Sequence, residues 1–412
     1  MKVADLLPPQ PEISESFDPW LDSIAEFEKS ARLLDLEPWI VERLRHAEQE
    51  TSLNLLLARE DGSALPATAL WVRHCSAAGP VVAPLRISRN TFLKQVRCDA
   101  MHMTWLTALY GLKFGGGATA LILDPDQQSE KELRGAVRSL AGALHEPAAS
   151  AAMILPAEAR AVEMDWLESA WSEMGTGRPI IAGRASSSAT SNAEEDIAVG
   201  LSELIRCSGG KVSAMRVAAQ GFGSQMQVLL RRLHHAGARI VAVADESGGV
   251  SHPLGLDPML LAAYVEEHGA VLGYPGADAV LNADVLAADC DLLILAGGER
   301  QILSTNVKSI QARVVICVAR GAITEAAERH MSVCGKTVVS DLLCAGPALL
   351  SALSERDRGL SGTRLHAAMR RMIRATWREV VATGERWNVS HSHSGLTVAV
   401  QRVASIVRAK GI

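Results

Sequence analysis

Apolar residues recur at helical spacing near the start of the chain. Between Pro19 and His46 they stand three or four positions apart among acidic and basic residues, which predicts amphipathic helices. These apolar positions are Trp20, Leu21, Ile24, Phe27, Leu33 and Leu34. Two apolar runs follow, Leu53–Leu57 and Ala64–Arg73, and a glycine-containing break separates them. That arrangement is typical of a β-hairpin.

A second helical pattern covers Arg89–Leu112 and stops before three consecutive glycines, Gly115, Gly116 and Gly117. Glycine has no side chain to restrict its backbone, and a run of glycines disfavours both helix and strand. The sequence therefore predicts that this helix ends on a glycine loop.

The second half of the chain alternates short apolar runs with stretches of helical periodicity. The runs are Ala214–Ala219, Arg239–Ala244, Asp291–Leu295 and Val314–Val318. Such alternation predicts an α/β domain built on a parallel, Rossmann-like sheet.

The small polar run Ser186–Asn192 suggests a linker, since such residues gain little from burial. We therefore predict a first domain over 1–190 and a Rossmann-like domain over 191–365. The helical tail over 366–412 is expected to join the first domain.

Composition and charge exclude several functional classes. The 412 residues are 48% hydrophobic and 21% charged, with no apolar run long enough to cross a membrane. The net charge of −5 and the absence of a basic block disfavour nucleic acid as a partner. Seven scattered cysteines signal neither a disulfide framework nor a metal site. The first 16 residues lack the pattern of a secretory signal, which favours a cytoplasmic location.

A glycine motif follows the first predicted strand of the second domain. Gly221 and Gly223 stand between that strand and a helix opening at Ser224, where a dinucleotide-binding domain holds its pyrophosphate. Asp245 ends the next strand, at the usual place of a ribose-binding acid. Met226 departs from the motif, because its side chain would push the helix from the strand or reach toward the phosphates. The alternative is a domain that keeps the tight turn and binds nothing.

Several long segments also occur in the order typical of one enzyme family. They include VRHCSAAGPVVAPLRIS, MHMTWLTALYGLKFGGGATALILDP, RVAAQGFGSQ and IVAVADESGGV, followed by EEHGAVLGYPGA, DCDLLILAGGERQI and VVSDLL. Together they resemble the Glu/Leu/Phe/Val dehydrogenase (glutamate dehydrogenase) family from about residue 20 to the carboxyl terminus. The resemblance implies an α/β fold of two domains, namely a substrate and assembly domain and a domain for NAD(P). It also implies an oligomer, often a hexamer.

The resemblance further implies that the catalytic side chains are absent. The family's catalytic lysine in PFGGGKGG matches Ala118, and its substrate-binding lysines in GPYKGG and MTWK match Val82 and Leu106. The catalytic aspartate of PAPD matches Ala159, which follows Glu158. The loss of groups that act together removes much more transition-state stabilisation than one substitution.

Positions on the cofactor side differ as well. The threonine of the family's ATGRG segment, which touches the nicotinamide, matches Ile197, and the asparagine of GANG matches Arg320. The asparagine of LANAGG matches Ala345, and a serine that binds the glutamate side chain matches Ala352, next to Ser351. With Met226, these replacements argue against tight binding of NAD(P).

Three functions follow as hypotheses. The first is a non-catalytic subunit, regulatory or structural, beside a catalytic dehydrogenase paralogue. The second is a divergent NAD(P)-dependent dehydrogenase for an apolar amino acid, since Val82 and Ala352 suit an apolar pocket; Ala118 argues against it. The third is a stand-alone sensor that binds an amino acid or nucleotide without turning it over. We also predict a homo- or hetero-oligomer assembled through the first domain, where Trp20, Ile24 and Phe27 form an apolar stripe.

Overall fold

The computed structural model describes residues 18–175, 179–183, 190–356 and 361–411. These residues divide into two compact units. The first unit contains residues 18–175, 179–183, 190–193, 352–356 and 396–411, and the second contains 194–351 and 361–395. Most of the predicted linker Ser186–Asn192 lies outside the described residues, although a helix begins at Thr190. No helix of the described residues is long and apolar enough to span a membrane.

The first unit surrounds a six-stranded sheet of mixed direction. Its chain order is α1 (Pro19–Leu33), α2 (Pro38–Arg45), β1 (Gln49–Ala58), β2 (Ala64–Cys75), β3 (Val81–Ile87), α3 (Leu93–Leu109), β4 (Gly115–Ile122), α4 (Glu130–Leu144), β5 (Ala151–Pro156), α5 (Ala161–Met174) and β6 (Ile180–Ile181). The strands lie in the order β1-β2-β4-β3-β5-β6. The two amphipathic helices and the β-hairpin that the hydrophobic periodicity predicts are therefore confirmed, as α1, α2 and the antiparallel β1–β2 pair.

The predicted glycine loop is wrong, because Gly115–Gly117 begin strand β4. The strand needs glycine there, since a methyl group on Gly116 would overlap the amide nitrogen and hydroxyl of Thr104 in α3. A methyl group on Gly115 would overlap the carbonyl oxygen of Cys75 in β2. The glycines therefore let α3 and β2 approach β4 closely. This requirement depends on the tertiary structure, so the residues on either side of the glycines do not predict it.

The second unit contains a seven-stranded sheet. Its chain order is α6 (Thr190–Gly209), β7 (Arg216–Gln220), α7 (Ser224–His235), β8 (Arg239–Asp245), β9 (Gly248–Leu256), α8 (Pro258–His268), β10 (Asp278–Val280), α9 (Asn282–Leu286), β11 (Leu292–Leu295), β12 (Val314–Cys317), α10 (Glu325–Val333), β13 (Thr337–Val339), α11 (Asp341–Cys344), α12 (Gly346–Arg356), α13 (Gly362–Trp387) and α14 (His391–Lys410). Helix α6 begins within the first unit, and α12 and α14 end within it.

The four strands predicted for this sheet are present as β7, β8, β11 and β12, and they pair in parallel with β13 added beside β12. The prediction missed the antiparallel strands β9 and β10, so the sheet is mixed at that edge. Strand β9 contains Gly248, Gly249, Pro253 and Gly255. Glycine and proline are depleted in strands, so the sequence does not predict a strand there.

The helical tail differs from its predicted place. We expected residues 366–412 to join the first domain as one piece, but residues 361–395 belong to the second unit. Two side chains of α13 explain this: Arg374 binds Glu203 of α6 through Nε at 2.6 Å, and His366 Nε2 lies 2.7 Å from Asp196 Oδ1. Residues 396–411 do lie in the first unit, where Arg402 donates to the carbonyl oxygens of Ala108 and Leu109.

We predict that Gly116→Ala destabilises the protein by about 1–3 kcal/mol or more, because the new methyl group overpacks the contact between β4 and α3. Gly135→Ala is the matched control. Gly135 lies on an exposed face of α4 with open space around it, so alanine there should stabilise the helix by about 0.5–1 kcal/mol. Urea unfolding of both variants checks the prediction, and an equal change in the two would contradict it.

A buried histidine beside the same contact predicts acid sensitivity. His74 Nε2 donates to the Leu44 carbonyl oxygen at 3.0 Å, its Nδ1 lies 2.9 Å from the Thr104 hydroxyl, and burial lowers its pKa from 6.5 to about 4. Between these values the unfolded chain binds the proton and the folded chain does not. Stability should therefore fall as the pH drops from 6.5 to 4, by on the order of 3 kcal/mol.

Unfolding free energies measured at several pH values test this expectation. His74→Gln should flatten the slope in that interval, whereas His46→Gln should retain it, because His46 is exposed. Parallel pH profiles for His74→Gln and the unmodified protein would show that His74 is not the cause.

Candidate functional site

Three positions matched to the family's lysines lie together in the first unit. Strands β3 and β4 are neighbours, and Val82 of β3 pairs with Gly116 of β4. Ala118 lies two residues after Gly116 in β4, so it is on the same face of the sheet. Helix α3 packs on this face, because its residues Val96 and Ala100 belong to the same apolar cluster as Ala118. Leu106 also belongs to α3, and the turn of α3 that contains Ala100 and Thr104 lies over Gly116. The fold therefore brings Val82, Leu106 and Ala118 onto one helix–sheet layer.

None of these three side chains can supply a charge, and none reaches solvent. Val82, Leu106 and Ala118 are 0%, 2% and 1% exposed. Lys113, the lysine nearest Ala118 in sequence, is exposed to solvent before the strand begins. The fourth position, Ala159, is buried in the larger core cluster of this unit with Met164 of α5. All four positions are thus buried in apolar surroundings, three of them on this layer and Ala159 in the larger cluster.

One cation does lie on this layer, and it is already paired. Arg86 is placed on the same face of β3 as Val82 and donates to Asp99 of α3 and to Glu158 after β5. Asp99 is 4% exposed, so the Arg86–Asp99 bond compensates for the burial of both charges. Sequence reasoning noticed Glu158 but missed this cluster, because Arg86 is 72 residues away from it.

The glycine motif of the second unit forms a tight turn at the end of β7. Gly221 has φ +102°, and a methyl group on it would lie 2.7 Å from the Ala296 carbonyl carbon, so only glycine fits. Gly223 and Ser224 are exposed, and the amino terminus of α7 carries no side-chain cap. An open helix amino terminus with free N–H groups suits a phosphate. This part of the unit fits a dinucleotide's pyrophosphate.

The predicted ribose acceptor has structural partners. Asp245 Oδ1 accepts hydrogen bonds from the amide and hydroxyl of Ser247 at 2.8 and 2.5 Å, and its Oδ2 accepts one from the Val271 amide at 2.8 Å. The carboxylate therefore fixes the β8–β9 turn to the segment after α8. Lone pairs remain for a ribose, but each oxygen already serves the fold.

Met226 lies on the buried face of α7 and is 3% exposed. Its neighbours on that face are Leu229, Leu230 and Leu233. Its side chain therefore contributes to the packing of α7 within the second unit.

Two sequence models decide the family. The model of the Glutamate/Leucine/Phenylalanine/Valine dehydrogenases matches residues 194–411, more than half of the chain, and the model of the family's dimerisation domain matches residues 47–172. The chain belongs to the Glu/Leu/Phe/Val dehydrogenase family. Both matches agree with the resemblance found in the sequence.

Individual relatives of the chain are glutamate dehydrogenases. It is 28% identical to the glutamate dehydrogenase of Thermotoga maritima over 416 residues, covering 95% of this chain and 97% of that protein. It is 30% identical to the NADP-specific glutamate dehydrogenase A1 of Halobacterium salinarum over 80% of each chain. A solved structure, the hetero-hexameric glutamate dehydrogenase of Thermus thermophilus in a Leu-bound form, superposes with a TM-score of 0.87 at 24% identity, covering 98% and 99% of the two chains. The last likeness confirms the predicted two-domain α/β fold.

The positions that we matched to the family's cofactor-side residues lie on or beside helices and strands of the second unit. Ile197 is half-buried on α6, Arg320 is half-buried after β12, and Ala345 follows α11. Beside Ile197, the buried Asp196 carboxylate accepts a hydrogen bond from the Ser351 hydroxyl at 3.1 Å, and its other oxygen lies 2.7 Å from His366 Nε2. The sequence does not predict this cluster, because Ser351 and His366 lie 155 and 170 residues from Asp196 along the chain.

We predict that Met226→Ala lowers the free energy of unfolding by about 2–4 kcal/mol, because it removes a buried side chain from the face of α7. Met259→Ala is the matched control: Met259 is 43% exposed on α8, and its loss should change stability by no more than about 0.5 kcal/mol. Thermal and urea unfolding measure both. A neutral Met226→Ala would mean that Met226 does not pack as described.

Proposed function

We propose that this chain is a non-catalytic member of the family that serves as a regulatory or structural subunit of a hetero-oligomeric glutamate dehydrogenase. The observation that carries the proposal is the buried, apolar state of Val82, Leu106 and Ala118, the positions of the family's three lysines. Conversion of an amino acid to its 2-oxo acid needs a cation to polarise the reacting carbon–oxygen bond and a carboxylate to move protons. The layer provides neither at these positions.

Arg86 is a poor substitute for a missing lysine. A guanidinium group only donates hydrogen bonds, so it cannot act as a general base. It also donates to both Asp99 and Glu158, so an incoming substrate carboxylate would have to displace an existing ion pair. These contacts support loss of turnover.

Cofactor binding is expected to be weak for the same reason. When bound, NAD(P) would accept hydride from the amino acid. The glycine turn at Gly221 suits its pyrophosphate, but Asp245 is engaged by Ser247 and Val271. Ile197 and Arg320 replace the threonine and asparagine of the family pattern. We therefore expect the second unit to keep its fold without holding the nucleotide tightly.

Assembly with other subunits is supported by the first unit. Its sequence matches the family's dimerisation domain, and the solved hetero-hexamer from Thermus thermophilus shares the fold. Strand β1 pairs with β2 on one side and forms an edge of the six-stranded sheet, with Leu56 76% exposed. An unpaired strand edge with an exposed leucine is a surface that a second subunit can cover.

We predict that the purified chain alone reduces neither NAD nor NADP with glutamate, leucine or phenylalanine, because the required charges are missing. Recovery of the tagged chain from its native source should instead yield a catalytic dehydrogenase paralogue in stoichiometric amount. Spectrophotometry of NAD(P)H formation and mass spectrometry of the complex provide the two measurements. Turnover by the chain alone at about 1–10³ per second, the ordinary range of enzymes, would refute the proposal.

A further inference from the structure

The carboxyl end of α10 presents a thiol at the surface of the second unit. Cys334 caps this helix and is exposed to solvent. Its amide donates to the His330 carbonyl oxygen at 3.0 Å, so the helical geometry continues through Cys334. Gly335 then has φ +72°, and the amides of Gly335 and Lys336 each donate to a helix carbonyl oxygen at 2.9 Å. This pattern is a Schellman motif, which fixes the backbone that carries the thiol.

A histidine one turn earlier contacts the thiol. His330 Nε2 lies 3.7 Å from Cys334 Sγ, close enough for a hydrogen bond that involves sulfur. Residues four positions apart lie on one face of a helix, so the contact needs no rearrangement. The thiolate is the nucleophilic form of cysteine, and an imidazole that takes the proton leaves the thiolate beside a cation. The pair therefore provides a nucleophile and its proton acceptor.

All seven cysteines belong to the described residues, and the other six are shielded from solvent wholly or in part. Burial raises the pKa of the Cys75 thiol to about 11 and that of Cys290 to about 12, because an apolar interior disfavours the thiolate. The buried thiols are Cys75, Cys98, Cys290, Cys317 and Cys344, and the half-buried one is Cys207. Cys334 is therefore the thiol that a solute reaches first.

The residues next to this thiol carry positive charge. The segment 329–340 contains Arg329, His330 and Lys336 and no aspartate or glutamate. Lys336 Nζ donates to the carbonyl oxygens of Gln311 and Ala312 at 3.2 and 2.9 Å. These neutral acceptors hold the ammonium group in place without cancelling its charge. A fixed cation near the thiol favours the approach of an anionic reactant.

We propose that Cys334 is a site of reversible thiolation by an anionic, low-molecular-weight disulfide, with His330 as the acceptor of its thiol proton. The Cys334 sulfur attacks one sulfur of the disulfide, a new S–S bond forms as the old one breaks, and the released thiolate takes the proton from His330. The Cys334 sulfur is oxidised and the leaving sulfur is reduced, so the disulfide is the only oxidant required. The reaction does not rest on the proposed subunit function, because the family's substrate and cofactor positions take no part in it.

Glutathione disulfide, which is anionic at neutral pH, is the probe for the full folded chain. We expect one glutathionyl adduct per chain, located at Cys334 by peptide mass mapping and removed by dithiothreitol. Cys334→Ser should abolish the adduct, whereas Cys207→Ser is the matched control and should retain it. Modification of a different cysteine in the folded chain would overturn the proposal. So would a folded chain that stays unmodified under conditions in which the urea-unfolded chain reacts.

His330→Gln tests the proton acceptor. Glutamine cannot take the thiol proton, so thiolation of Cys334 should be at least about 3-fold slower. His235→Gln, at the exposed end of α7, is the matched control and should react as the unmodified chain does. Thermal unfolding of both variants establishes that they are folded. Equal rates for His330→Gln and the unmodified chain would exclude His330 from the reaction.

Cystamine, a cationic disulfide, tests the class of reactant. The neutral thiol N-acetylcysteinamide gives the intrinsic ratio of the rates with glutathione disulfide and cystamine. Folded Cys334 should favour glutathione disulfide by at least about 3-fold more than this ratio, and added salt should reduce the preference by screening. A ratio equal to that of the model thiol would contradict the anionic class. Turnover by the chain alone would refute the proposed function and leave all of these measurements unchanged.

Discussion

The close contact between α3 and the first residues of β4 constrains the whole first unit. Because Gly116 has no side chain, the backbone of Thr104 can lie directly on the strand. Thr104 in turn contacts His74 of β2, and His74 contacts the end of α2 through the Leu44 carbonyl oxygen. At its other end, α3 is bound by Arg402 of α14. One glycine thus permits a chain of contacts that joins two strands and three helices.

This constraint also favours apolar residues at the three positions that we matched to the family's lysines. Val82, Leu106 and Ala118 lie where strand and helix are already packed closely, and an apolar residue is the stable occupant of such a layer. A buried lysine there requires compensating groups to offset its desolvation. Under the proposed function, valine, leucine and alanine at these positions would retain packing without supplying the family's charges.

In the second unit, polar contacts join helices that are distant in sequence. Glu203 is buried on α6 and accepts hydrogen bonds from Arg206 and Arg374, which, despite its desolvation, lower its pKa. Asp196, two turns earlier, contacts Ser351 and His366. Buried carboxylates of this kind stabilise one arrangement of helices, because any other leaves a charge without a partner. They fix α13 on α6 at two points along its length.

The sequence by itself determined the α/β class, the opening helices, the β1–β2 hairpin and the parallel strands, because hydrophobic periodicity reports which face of each segment is buried. It also identified the family, since long motifs in a fixed order survive substitution of single residues. Only the tertiary structure decided that Gly115–Gly117 belong to a strand and that β9 pairs in the antiparallel direction. It also decided which residues contact Asp245 and Asp196. Those relations depend on which segments approach each other in space, and local patterns of residues do not encode that.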